Sequence, residues 1–239
     1  MNLPLRLVPA GVLQLVRDAV AVRAGPRPRA CAFEAAGRRI PAWLYVSEER
    51  GPAALLFHTA SGVTPHDHRF AQRLREAGFA TLLVRYSGRT RGAVLESDAH
   101  RRTLDLIAGA ALRQLRAQPE VGGGPVAAIG LSLGGYLAAS LTGAAARVQA
   151  AVIYYGVYAA SEPMLEAYPG PLLVVQGTRD SEAFVERAKR AAARNRHSQL
   201  ALLQDAVHQF DLFQPSSATS RDAWARTVAF LGEALRTGR

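Results

Sequence analysis

Cysteine is almost absent from this chain: Cys31 is the single example in 239 residues. No intrachain disulfide can form, so covalent staples are excluded as a source of stability. That usage fits a reducing, cytoplasmic setting. Lysine is equally scarce. Lys189 is the only lysine among 29 basic residues, so the rest are arginine. Long apolar runs are missing as well. No stretch of eighteen or more apolar residues occurs, and no transmembrane segment is expected. Met1 to Ala24 does not have the shape of a secretory signal. Pro4 and Pro9 break it early, Arg17 and Asp18 interrupt its apolar part, and no clear cleavage site follows.

What is present is apolar and basic. Hydrophobic residues make up 49% and the net charge is +10. The length fits one large α/β domain or two small ones. A basic chain raises the question of a nucleic-acid or anionic-surface partner. Here the arginines are scattered through every segment, and no stretch joins dense positive charge to interleaved aromatics. The charge reads as a coding preference for arginine, and no nucleic-acid partner is expected.

Residues 1–30 read as an N-terminal arm or amphipathic helix, with residues 31–239 as the main domain. Val12, Leu15, Val16 and Ala19 recur at helical spacing, with Gln14, Arg17 and Asp18 between them. Such a helix docks on its own domain, on a partner or on a membrane surface. Ala24 to Arg29 is a linker by composition. Cys31–Glu34 and Arg39–Val46 read as a hairpin turning at Ala36-Gly37. From residue 53 onward, buried apolar runs alternate with helical patterns. Strands are expected at Ala53–His58, Phe79–Val84, Pro125–Ile129, Val148–Tyr155, Pro171–Gln176 and Gln199–Leu203. Helices are expected at His66–Ala77, Glu96–Ala117, Ser181–Asn195 and Ala218–Leu235. This alternation predicts a mostly parallel central sheet with helices on both faces. Functional loops then gather at the C-terminal ends of the strands.

Gly130-Leu131-Ser132-Leu133-Gly134-Gly135 is the most informative stretch. It lies between a buried strand and a helix, which is the G-x-S-x-G nucleophile-elbow pattern. A serine on so sharp a turn stands clear of the sheet, and glycines on either side relieve the crowding. The helix that follows points its N–H groups and dipole toward the serine oxygen. A serine hydroxyl needs a base, and the base needs an orienting carboxylate. Asp180 follows the strand ending at Gln176, and His208 follows the last strand, in the order the elbow fold demands. Asp180 has a second reading as a helix N-cap, and His208 as a solvated loop histidine. Donors for a developing oxyanion are expected from the N–H of Leu133 and that of Ala60, with Thr59 as the alternative. His66-Asp67-His68 has a spacing that metal ligands use, but no third cluster accompanies it. It reads as the polar start of a helix, and no metal or cofactor is expected. Tyr154, Tyr155 and Tyr158 read as packing residues or pocket lining.

On these residues the chain resembles the α/β-hydrolase superfamily, and within it the dienelactone hydrolase family. The likeness runs from about Arg39 to the C-terminus. It rests on His58-Thr59-Ala60-Ser61-Gly62, Leu74 to Phe79, Gly130 to Gly135, Val152 to Gly156, Gly177 to Asp180 and His208-Gln209-Phe210. The resemblance implies an α/β-hydrolase fold and a hydrolase of small ester or lactone bonds, working without metal or cofactor. This chain departs from the family pattern at several points. Ser132 stands where those enzymes carry cysteine, Thr59 where they carry glutamate, and Asp211 and Leu212 where they carry an arginine. Arg85 stands where most relatives have aspartate. Arg89 falls about where the family places a carboxylate-binding arginine. With Arg85 it would favour an acidic substrate, and two solvated arginines are the other reading. Gly156 to Gly170 leaves no room for a cap domain, which predicts an open cleft. Other acyl chemistry on the same three residues, as in a thioesterase, peptidase or acyltransferase, is the near alternative. A non-catalytic binding protein on the same fold is the distant one.

Overall fold

The computed structural model describes residues 10–47, 50–87, 95–143 and 148–236. The chain enters through helix α1 (Ala10–Ala24) and a hairpin of β1 (Arg29–Ala35) and β2 (Arg38–Tyr45). The hairpin turns through Ala36-Gly37, whose φ angles of 50° and 71° match the twist of the strands they join. Strands and helices then alternate: β3 (Ala53–Phe57), α2 (Pro65–Glu76), β4 (Ala80–Val84), α3 (Asp98–Arg116), β5 (Val126–Leu131), α4 (Gly134–Ser140), β6 (Ala150–Tyr154), α5 (Glu162–Glu166), β7 (Leu172–Gly177), α6 (Glu182–Arg194), β8 (Ser198–Leu203), α7 (Phe210–Phe213) and α8 (Ala218–Ala234). Expected and observed strand ends differ by a residue or two. The short helices α5 and α7 are additions, too brief for periodicity to show.

The eight strands form one sheet in the order β1-β2-β4-β3-β5-β6-β7-β8. β2 pairs antiparallel with β1 and β4, and every later pairing is parallel. The strand order reverses around β3, which lies between β4 and β5. A crevice therefore opens at the C-terminal ends of β3 and β5, where ligands bind in open α/β sheets.

Strand pleating divides the core in two. Ala53, Leu55 and Phe57 of β3 face one apolar cluster, with Leu104 and Ile107 of α3, Leu137 of α4 and Ala188 of α6. Ala54 and Leu56 face the other, with Phe70 and Leu74 of α2, Phe210 of α7 and Phe230 and Leu231 of α8. Strands buried on both faces read as unbroken apolar runs, which is why they were visible in the sequence. The helix starts are fixed locally. Ser97 accepts from His100 N–H, Ser217 from Ser220 N–H, and Asp67 returns a bond to Thr64.

α1 departs from expectation. It packs against α2 and α7 of its own chain, but with its polar side inward. Gly11 and Asp18 are buried, whereas Val12, Val16 and Val20 are 47%, 58% and 63% exposed. The reason is a buried ion pair between Asp18 and His66 of α2, which sets the helix rotation against its apolar stripe. Gly11 meets the ring of Phe213, where a Cβ would lie 2.7 Å from it.

Leu56 is fully buried between β3 and the second cluster. Leu56→Ala is expected to cost about 2–5 kcal/mol of stability, through lost burial and the cavity left behind. Urea unfolding read by circular dichroism checks this, with a lower midpoint and an unchanged slope expected.

Candidate active site

At the end of β5 the chain turns so sharply that Ser132 takes φ of 51°, a left-handed conformation uncommon for a residue with a Cβ. The turn is pinned on both sides. Ser132 N–H donates to the Tyr154 carbonyl at 3.0 Å, and Gly135 N–H donates to the Ser132 carbonyl at 2.7 Å. The flanking glycines are required by close approach. A Cβ on Gly130 would lie 2.2 Å from the Gly134 carbonyl oxygen. A Cβ on Gly134 would lie 2.2 Å from the Phe57 carbonyl oxygen, at the end of β3. Gly134 thus lets the first turn of α4 rest directly on the strand that leads to loop 58–62.

Three side chains named from the sequence meet at this edge. Ser132 Oγ lies 3.0 Å from His208 Nε2, and His208 Nδ1 lies 2.7 Å from Asp180 Oδ2. The Asp180 side chain is buried while that of His208 is about one-third exposed. Burial pushes the Asp180 carboxyl up, but bonds from His208, Gln176 and the Ser181 N–H outweigh it and hold the group below its ordinary range. Ser181, not Asp180, is the N-cap residue of α6. A carboxylate at Nδ1 leaves Nε2 free to accept the serine proton, which is the arrangement needed to turn a hydroxyl into a nucleophile.

Loop 58–62 follows β3 beside the elbow. The His58 ring stacks on Tyr86 with centroids 4.1 Å apart, and Tyr86 hydroxyl donates to the His58 carbonyl at 2.7 Å. His58 Nδ1 donates to the Thr59 carbonyl at 2.5 Å, and Gly62 N–H also reaches that oxygen. A trans peptide holds its C=O and N–H on opposite sides. With the Thr59 carbonyl turned to His58, the Ala60 N–H faces the other way. Among the described residues, neither the Ala60 nor the Leu133 N–H donates to any acceptor. Burial lowers the His58 imidazole to about 4, with Arg85 nearby adding to the effect, so the ring is neutral at pH 7. The role of His58 was not anticipated; its place immediately after a buried strand was the available signal.

Thr59 Oγ1 accepts from Ser61 N–H at 3.2 Å, so its hydroxyl oxygen serves the loop's own turn. Arg85 is exposed at the end of β4. Arg89 lies outside the described residues. Two aromatic residues frame His208. Phe184 stacks on its ring at 5.5 Å, and Tyr155 meets it edge-on at 5.0 Å. Tyr158 hydroxyl stands 3.4 Å from Ser132 Oγ, so it belongs to the site rather than to the core. Tyr154 is core: its hydroxyl bonds Thr227 of α8 at 2.7 Å.

His66, Asp67 and His68 go to separate partners. His68 Nδ1 bonds the Tyr45 hydroxyl at 2.6 Å, and Asp67 bonds Thr64. His66 bridges two carboxylates, Asp18 and Asp211, each at 3.0 Å. Carboxylates accept only, so both ring nitrogens carry protons and the imidazole is a cation. Burial alone would lower its pKa; Asp211 and Asp18 more than reverse this and raise it to about 10. Asp18, His66 and Asp211 line a cleft of about 330 Å³ with Arg69, Arg73 and Arg221.

The fold and this edge define an α/β-hydrolase. The family model described as "Dienelactone hydrolase family" matches residues 40–235, and the chain belongs to that family. Solved structures agree on the fold. A dienelactone hydrolase-like promiscuous phosphotriesterase from metagenomic libraries is 24% identical, with a TM-score of 0.72 over 87% of this chain and 98% of that one. The dienelactone hydrolase from Anabaena variabilis is 21% identical, with a TM-score of 0.69 over 88% of this chain and 100% of that one. A hyperthermophilic esterase from Pyrobaculum calidifontis is 20% identical, with a TM-score of 0.70 over 95% of this chain and 92% of that one. No curated protein matches the chain. No helix among the described residues is long and apolar enough to cross a membrane.

The His66 bridge makes stability depend on pH. A raised folded pKa contributes stability in full below the unfolded value of about 6.5, and loses it as pH rises through about 10. The groups facing the ring are Asp18, Asp67 and Asp211, with Arg69, Arg73 and Arg221 around the cleft. Unfolding free energies of wild type and His66→Gln, from urea titrations, are expected to differ most at pH 6, by a few kcal/mol. The gap is expected to shrink steadily toward pH 10.

Proposed function

We propose that this protein is a serine hydrolase that cleaves small ester or lactone substrates through an acyl-enzyme on Ser132. The observation that carries the reading is the continuous hydrogen-bond chain from Ser132 through His208 to Asp180. His208 takes the proton from Ser132 Oγ as that oxygen attacks the substrate carbonyl carbon. Asp180 keeps the proton on Nδ1 and stabilises the imidazolium that forms. The N–H groups of Leu133 and Ala60 receive the oxyanion, and both are free of other acceptors among the described residues. Collapse of the tetrahedral intermediate breaks the bond to the leaving alcohol, which takes its proton from His208. Water, deprotonated by His208, then attacks the acyl-enzyme and releases the acid and free Ser132.

The segment between β6 and β7 holds only the short α5, with no separate cap domain over the crevice. An uncapped site suits small substrates that approach from solvent. Arg85, exposed and close enough to act on His58, stands at the rim beside the oxyanion loop. It favours acyl groups that carry a carboxylate, and Arg89 is assigned to the same task. A single cysteine supports a cytoplasmic enzyme.

A fluorophosphonate probe followed by peptide mapping tests the nucleophile. One adduct on Ser132 is expected, absent in Ser132→Ala and strongly slowed in His208→Ala. Both variants should lose at least about 1,000-fold in kcat/KM on 4-nitrophenyl acetate while remaining folded. An unlabelled, folded wild-type protein would sink the reading. Arg85→Ala is expected to lower activity on a hemisuccinate ester relative to a neutral acetate by about two- to fivefold. That difference should fade in 0.5 M salt, as the attraction of an exposed charge is screened.

A further inference from the structure

A chain of hydrogen bonds runs from α1 to the ring that flanks His208. Asp18 Oδ2 accepts from His66 Nδ1 at 3.0 Å, and Asp211 Oδ2 accepts from His66 Nε2 at 3.0 Å. Asp211 Oδ1 accepts from the Tyr155 hydroxyl at 2.8 Å. Gln14 donates to the other oxygen of Asp18 at 2.8 Å and closes the outer end. Each link involves an ionised group and so is stronger than a neutral bond. The links join α1, the first turn of α2, α7 and the end of β6, segments far apart in sequence.

At its inner end the chain meets the proposed base. The Tyr155 ring meets the His208 ring edge-to-face, with centroids 5.0 Å apart and planes at 62°. Its backbone sits at φ of 39°, which a tyrosine keeps only where its surroundings hold it. Asp211 follows His208 closely in the chain, past Gln209 at φ of 56°. Its two bonds therefore hold both the neighbouring ring and the segment that leaves the His208 loop. Asp180 fixes Nδ1 of the imidazole but not the tilt of its plane; the flanking rings do that.

We propose that Asp18, His66, Asp211 and Tyr155 are positioning residues that hold the His208 imidazole in register with Ser132, so that docking of α1 is a condition for full turnover. This rests on the hydrolase reading above. It assigns a use to the N-terminal helix and to the aspartate that stands in place of the family's arginine. It also explains why α1 turns a charged side inward and leaves three valines in solvent. Small misplacements of a catalytic group are costly, about 100-fold for 1 Å, so a modest tilt of His208 would be visible in kcat.

The test is a double-mutant cycle between Asp18→Asn and Tyr155→Phe, residues that do not touch. With 4-nitrophenyl acetate, each variant is expected to lower kcat about threefold or more, with KM within about twofold of wild type. The double variant is expected to fall no further than the weaker single variant, because both break one relay. Asp18→Glu, which returns the charge, is expected to recover most of the loss. Effects that multiply, or a kcat untouched by Asp18→Asn, would overturn the relay. A second readout does not need turnover. In ¹³C-histidine-labelled protein, the His208 ring signal, assigned by its loss in His208→Ala, is expected to shift in Asp18→Asn and return in Asp18→Glu. A His208 signal unmoved in Asp18→Asn overturns the relay even if the wild type hydrolyses esters. A wild type that hydrolyses nothing, but whose His208 signal responds to Asp18→Asn, overturns the hydrolase reading and leaves the relay standing.

Discussion

The turn at Ser132 is the constraint on which the rest of the site depends. A left-handed serine is unfavourable in isolation and persists because the sheet surrounds it. Its N–H is tied to β6 and its carbonyl to α4. The two glycines flanking the elbow let backbone approach backbone where no side chain fits. That contact brings the start of α4 against the end of β3 and sets the Leu133 and Ala60 N–H groups at one edge. Ser132, the proposed nucleophile, and the two proposed oxyanion donors are thus placed by main chain, which is more rigid than an arrangement of side chains.

The proposed base is held differently. His208 sits on a loop and is partly exposed, so its geometry depends on neighbours. Asp180 supplies one bond, Phe184 and Tyr155 supply two rings, and α7 anchors the far end of the loop. Behind these lies a buried imidazolium between two carboxylates, an arrangement that costs desolvation and is kept only where every charge is paired. One strained backbone turn and one buried charge bridge therefore hold opposite halves of the same site, approached from opposite ends of the chain.

Much of this was legible from residue order. Buried parallel strands announce themselves as apolar runs, and Ser132, Asp180 and His208 each lie just past one. Local rules picked out these three residues because each stands just past a strand end, where the sheet brings their side chains together. What local rules missed was set by distant partners. Asp18 and His66 are 48 residues apart, and Tyr155 and Asp211 are 56 apart, so no window contains either pair. Periodicity at Val12, Leu15, Val16 and Ala19 therefore did not reveal that Val12 and Val16 face solvent while Asp18 is buried. The ordering of strands around β3 follows from three-dimensional pairing, and α5 and α7 are shorter than the period that would reveal them. His58 was read only as part of a motif, because the ring it stacks on, Tyr86, lies 28 residues further along the chain.

The measurement that bears most directly on the account is a rapid acid quench, milliseconds after mixing the protein with 4-nitrophenyl acetate, followed by peptide mass mapping. One acetyl group per chain is expected, carried by the peptide containing Ser132 and gone once turnover is complete. An acetyl group lodged on Cys31 or elsewhere, or steady hydrolysis with Ser132 never acylated, would contradict it.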